Sequence, residues 1–177
     1  GTTGRSKGAM ISHGNLASNA ASLVELWQIT DRDVLLHALP IFHVHGLYVA
    51  LNTSFLAAAE IVWFEKFDAA AVIAAMPQAT MMMGVPTFYT RLLATKGFTG
   101  DCARHMRLFI SGSAPLLAET HEEFRARTNH AILERYGMTE TGMIASNPCE
   151  GARVPGSREA FSCAGIAASS RPSACRQ

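Results

Sequence analysis

Apolar residues along this chain of 177 residues recur with two different periods, and the switches between them mark its elements. Leu16, Ala20, Leu23, Val24 and Trp27 fall on one helical face, and Ser12 stands where its hydroxyl can cap the first turn. Asp31 to Asp33 form a turn, and the run from Val34 to Leu39, stopped by Pro40, predicts a short buried strand. A loop with His43 and His45 follows, then a helix over Gly46 to Ala59 and a strand over Ile61 to Phe64. Asp68 caps a helix ending near Met76, and Ala79 to Met83 reads as a strand in which three consecutive methionines are core. Pro86 opens a helix containing Tyr89, Arg91, Leu92 and Leu93. Met106 to Ile110 is a strand, Leu117 to Thr128 a helix, and Ala131 to Glu134 a strand leading into Tyr136.

Strand and helix trade places repeatedly, which predicts an α/β fold with a partial, doubly wound, mostly parallel sheet flanked by helices. Such sheets bind ligands beyond the carboxyl ends of their strands. Four polar clusters follow predicted strands: His43, Gly84 to Thr87, Ser111 to Pro115, and Tyr136 to Gly142. They are expected to line one crevice. From Ala152 the apolar period is lost, and residues 157–177, rich in serine and alanine, read as a disordered or out-of-frame tail behind a single unit over 1–156.

Composition narrows the class. With 49% hydrophobic and 16% charged residues the chain can bury a sizeable core. A net charge of +1 lacks the basic surplus that nucleic-acid binding requires, so no nucleic-acid partner is expected. The apolar stretch around residues 45–64 is interrupted by Asn52, Thr53, Ser54 and Glu60, so no membrane span is expected. Four cysteines without a CxxC pair fit a reducing, cytoplasmic setting, and no leader peptide is read at the start.

Two stretches carry candidate chemistry. Gly1-Thr2-Thr3-Gly4-Arg5-Ser6-Lys7-Gly8 combines glycines, hydroxyls and cations, the residue types that cradle a polyphosphate. Its glycine spacing, with Gly8 after Lys7, differs from a Walker A loop, and by itself it reads equally as a polar turn. Tyr136-Gly137-Met138-Thr139-Glu140-Thr141-Gly142 offers an aromatic face, hydroxyls and a hard oxygen ligand, or else a glycine-bounded turn. His37, His43 and His45 match no closed zinc spacing, and His37 and His45 read as packing or capping residues.

Taken together and in order, GTTGRSKG, LPIFHVHG, SGSAPL and ERYGMTETG resemble the adenylate-forming superfamily of acyl-CoA synthetases, luciferases and adenylation domains. Within it, PIFHVHGLYVA, MGVPTFYTRLL, RLFISGSAPLLAETH and ILERYGMTETG are most similar to malonyl-CoA synthetases. The resemblance implies an AMP-forming acid–thiol ligase using ATP, Mg²⁺ and coenzyme A, with malonate as the favoured carboxylate and fatty or aryl acids as the alternatives. It implies phosphate binding by Thr2, Thr3, Gly4 and Lys7 and an adenine platform of Ser113, Ala114, Pro115, Tyr136 and Gly137. Thr139 is implied at the α-phosphate and Glu140 as the Mg²⁺ ligand; Lys7, Thr139 and Glu140 form the implied catalytic set.

Malonate adds a second carboxylate that needs a cation, for which Arg91 is the candidate, assisted by Ser111 and His43. The family also implies an upstream strand, a ribose-binding aspartate, a hinge and a lid with a catalytic lysine. These have no counterpart in the 177 residues, so a fragment is expected, inactive or weakly nucleotide-binding on its own.

Overall fold

Ser12 starts the first helix as its sequence position predicts. Its hydroxyl accepts from the Asn15 N–H at 3.1 Å, while the Asn15 side chain accepts from the Ser12 N–H at 3.0 Å, so two otherwise orphaned donors are satisfied. The computed structural model describes residues 8–151 and 153. The phosphate-loop residues Thr2, Thr3, Gly4 and Lys7, and the proposed tail over 157–177, lie outside those residues.

In chain order the elements are α1 (His13–Leu26), β1 (Val34–His37), a π-helix (His45–Leu51) running into α2 (Asn52–Leu56), β2 (Glu60–Trp63) and α3 (Ala69–Ala75). There follow a 3₁₀ turn (Met76–Gln78), β3 (Met81–Gly84), α4 (Pro86–Ala94), α5 (Gly100–Ala103), β4 (Leu108–Ser111), α6 (Ala118–Thr128), β5 (Leu133–Met138) and β6 (Gly142–Ser146). The strands form one six-stranded sheet in the order β2-β1-β3-β4-β5-β6, with β1 to β5 parallel and β6 antiparallel to β5.

Alternate residues of each strand feed two cores. Leu36, Met82 and Phe109 pack with Val72, Tyr89, Leu92 and Phe124 from α3, α4 and α6. Leu35, Met81, Met83, Leu108, Ile110 and Leu133 pack with Leu23 and Trp27 on the face of α1 and with Val49 of the π-helix. Apolar residues on both faces explain why these strands read as continuous hydrophobic runs. At the amino ends, buried Asp33 accepts from Arg107 Nη2 at 2.6 Å and from Thr80 Oγ1 at 2.7 Å, while the same guanidinium donates to the carbonyls of Trp27 and Gln28. That network fastens α1 to β1 and β3. Among the described residues no helix is long and apolar enough to cross a membrane.

Three elements differ from the sequence-based expectation. The helix expected over Gly46 to Ala59 is a π-helix followed by a short α-helix, where Thr53 Oγ1 donates to the Val49 and Ala50 carbonyls and Ser54 Oγ to Ala50. Hydroxyls on preceding carbonyls compete with the regular ladder. The short α5 was not signalled by any apolar period. Most important for the site, β5 runs on to Met138 and turns back into β6, so Tyr136 to Gly142 is a β-hairpin rather than a loop after a strand. A register shift at Tyr136/Gly137 bends this ladder, and Gly137 is required there because a Cβ would lie 2.4 Å from the Gly142 carbonyl oxygen.

Candidate active site

The strand order reverses direction between β1 and β3, the switch point at which a parallel sheet opens a crevice at its carboxyl end. The register aligns the strand ends there: Gly84 stands opposite Ser111, and Ser111 opposite Glu134. Beyond β1 the chain turns through Pro40 into His43 and His45, and Gly46 is held so close to Pro40 that a Cβ would meet its carbonyl oxygen at 2.3 Å. Beyond β4, Ser113 adopts the left-handed backbone with φ of 70°, which non-glycine residues seldom take. Its hydroxyl lies 3.3 Å from His45 Nδ1, joining the first and fourth strand ends.

Around that contact lies a set of buried polar groups without partners among the described residues: both ring nitrogens of His37, His45 Nε2, Ser111 Oγ, and Nε and Nη2 of Arg135. Buried polar atoms are almost always bonded, so a concentration of orphans at one strand end marks a place for a polar ligand. Arg135 is 7% exposed and His45 only 1%. The Arg135 guanidinium presses on the backbone of Gly112, where a Cβ would sit 2.3 Å from its Cζ, so glycine is needed to admit it.

Burial pushes Arg135 down to about 10, which still leaves a full positive charge at neutral pH. Burial, and then the positive charge of Arg135, holds His45 well below the ordinary histidine range, so its ring is neutral and has one accepting nitrogen. Tyr89 donates to the Ile110 carbonyl at 2.6 Å, and burial raises its phenol far above the usual value, keeping it a donor.

The hairpin supplies the second half of the site. Thr139, Glu140 and Thr141 form its exposed turn, and Tyr136, 57% exposed, presents its ring from β5. A cavity of about 430 Å³ separates this turn from the first turns of α1 and from the π-helix, with Asn15, Asn19, Tyr48, Thr139 and Glu140 among its lining residues. That volume lies within the range of small-ligand pockets. No cluster of three His, Cys, Asp or Glu side chains among the described residues is placed to hold a metal ion. Mg²⁺ usually takes one or two carboxylates and completes its shell with waters and substrate phosphates, so the lone exposed Glu140 suits a phosphate-borne ion and not an all-protein cage.

The sequence-predicted residues divide accordingly. Ser113, Ala114 and Pro115 form an exposed loop at the end of β4, next along the sheet to Tyr136 and Gly137 of β5. Thr139 and Glu140 share one turn. Ser111 is buried at the end of β4, whereas His43 is exposed and its Nδ1 accepts from the His45 N–H at 3.1 Å. Arg91 is exposed on α4 with its guanidinium 4.8 Å from the centre of the Phe67 ring, and no hydrogen bond among the described residues joins it to His43 or Ser111. Arg135 was missed by the sequence reading, although it alternates in phase with the core residue Leu133, the one sequence signal that it points inward.

A doubly wound, mostly parallel sheet of this order, with an exposed Thr-Glu turn beside its carboxyl-end crevice, is the large-domain architecture of adenylate-forming enzymes. The AMP-binding enzyme family matches residues 1–169, and the chain belongs to that family. It is 44% identical over 173 residues to the mouse mitochondrial malonate–CoA ligase ACSF3, covering 89% of this chain and 30% of that protein. Among solved structures it matches ATP-bound MatB from Rhodopseudomonas palustris with a TM-score of 0.86 and 60% identity, over 88% of this chain and 31% of MatB. A malonyl-CoA ligase in a ternary product complex with methylmalonyl-CoA and AMP matches at 0.82 and 37%, over 88% of this chain and 35% of that one. The chain thus spans about a third of the length of these relatives.

Proposed function

We propose that the complete protein is an AMP-forming acid–thiol ligase that converts malonate, ATP and coenzyme A to malonyl-CoA. A malonate carboxylate oxygen attacks the α-phosphorus of ATP, the bond to the β-phosphate breaks, and malonyl-adenylate and pyrophosphate result. The coenzyme A thiol, losing its proton, then attacks the acyl carbon, and AMP leaves with the electrons of the anhydride bond. Mg²⁺, when bound, neutralises phosphate charge during the first step, with Glu140 as its protein ligand. Thr2, Thr3, Gly4 and Lys7 are assigned to the departing phosphates, Thr139 to the α-phosphate, and Ser113, Ala114, Pro115, Tyr136 and Gly137 to adenine.

The observation that carries the substrate choice is Arg135. A buried guanidinium with its Nε and Nη2 unpartnered among the described residues is costly unless an anion arrives, and a dicarboxylic acid brings one carboxylate to react and a second to be held. Arg135 therefore joins Arg91 as a candidate for the distal carboxylate, with Ser111 and His43 as further donors. The names of the mouse malonate–CoA ligase and of the malonyl-CoA ligase solved as a product complex support the same substrate. We assign the protein to the cytoplasm on its four cysteines, which include no CxxC pair and lack the density of a disulfide scaffold, the mitochondrial compartment of the mouse relative being the alternative. The test is pyrophosphate release by the full-length protein. Activity with malonate well above that with butyrate or benzoate is expected; equal or better use of a monocarboxylate would overturn the substrate assignment.

A further inference from the structure

Asn19 sits in the middle of α1 and grips the far end of the described chain. Its Nδ2 donates to the Met143 carbonyl at 3.0 Å, and its Oδ1 accepts from the Met143 N–H at 3.1 Å. A carboxamide presents one donor and one acceptor side by side, so the side chain pairs with this residue of β6 as a neighbouring strand would. The fit is tight: Gly142 has φ of 67°, and a Cβ there would lie 2.7 Å from Asn19 Oδ1. Met143 comes directly after the turn that carries Thr139 and Glu140, and Asn19 lines the same cavity as those two residues. In the sequence, α1 is also the first helix after residues 1–8.

We infer that Asn19 is a positioning residue that sets the Thr139–Glu140 turn against the helix following the phosphate-binding stretch, and so fixes where Mg²⁺-ATP is held. The inference rests on the proposed roles of Thr139 and Glu140. An amide that only joined a helix to a strand would lower melting temperature when removed and leave metal-dependent binding alone; a positioning amide changes that binding selectively.

The test is ATP affinity with and without Mg²⁺ in the full-length protein and in its Asn19→Ala and Asn19→Asp variants. In Asn19→Ala the gain in affinity that Mg²⁺ confers should fall roughly 5- to 10-fold, as expected for two lost hydrogen bonds, while ATP binding without Mg²⁺, which keeps only the Thr139 contact of that turn, falls by less. Asn19→Asp keeps the acceptor for the Met143 N–H and should fall between, and it decides the matter if Asn19→Ala does not fold. Equal losses with and without Mg²⁺, a lower melting temperature with unchanged affinities, or wild-type binding indifferent to Mg²⁺ would each overturn the inference. Failure to use malonate would instead sink the substrate assignment and leave this readout standing.

Discussion

Arg135 shows how a single side chain can carry functional information that the motif containing it does not announce. Within ERYGMTETG the roles implied by resemblance begin at Tyr136, whose ring is exposed, whereas the residue before it is a buried cation with orphaned nitrogens. Arg135→Leu is expected to raise the malonate KM of the full-length protein roughly 10²- to 10³-fold, the penalty of removing the partner of a desolvated carboxylate. Gly112→Ala should reproduce much of that effect, because its new methyl occupies the guanidinium's place. Arg91→Leu provides the contrast: a loss as large as that of Arg135→Leu would make Arg91 the principal clamp, whereas an unchanged KM would leave it as a cation on the Phe67 face. Steady-state kinetics with malonate as the varied substrate separates these outcomes.

The elements most sensitive to substitution are those held by side chains from distant parts of the chain. Gly142→Ala forces a methyl into the left-handed region and against Asn19, and should destabilise the fold by about 1–2 kcal/mol in urea unfolding. Four histidines, His37, His45, His121 and His130, are each held below their ordinary value of 6.5, burial being the first cause in every case. Their folded forms bind protons more weakly than the unfolded chain does. The stability they contribute is therefore complete above pH 6.5 and is lost as pH falls below it. Unfolding free energy measured at pH 7.5 and 5.5 should be lower at 5.5, and His45→Gln should flatten the difference; a rise in stability on acidification would contradict the sign.

For the molecule as a whole, the sheet and its two cores are complete enough to bury Trp27, Tyr89, Phe109 and Phe124 fully, yet Phe42, Phe55 and Leu56 stay exposed, as does Trp63 on the edge strand β2. An open parallel edge beside apolar side chains invites association. The isolated 177 residues are expected to self-associate in light scattering, and Trp63→Lys should reduce this. They should release no pyrophosphate from ATP, Mg²⁺ and malonate, because they span only about a third of the relatives' length. Measurable release would show that the catalytic set is sufficient without the rest.

Local chemistry alone determined the caps at Ser12 and Asp68, the doubly covered strands and the parallel alternation, since each depends on residues close together in the chain. Only tertiary structure decided that Tyr136 to Gly142 closes a hairpin, because β6 is weakly patterned and is held by its pairing with β5 and by Asn19, 124 residues away from Met143. It also decided that His45 and Arg135 come together buried at the strand ends, each with ring or guanidinium nitrogens lacking a partner among the described residues. Burial without a partner is a relation among strand ends brought together by the sheet, and no spacing along the chain encodes it.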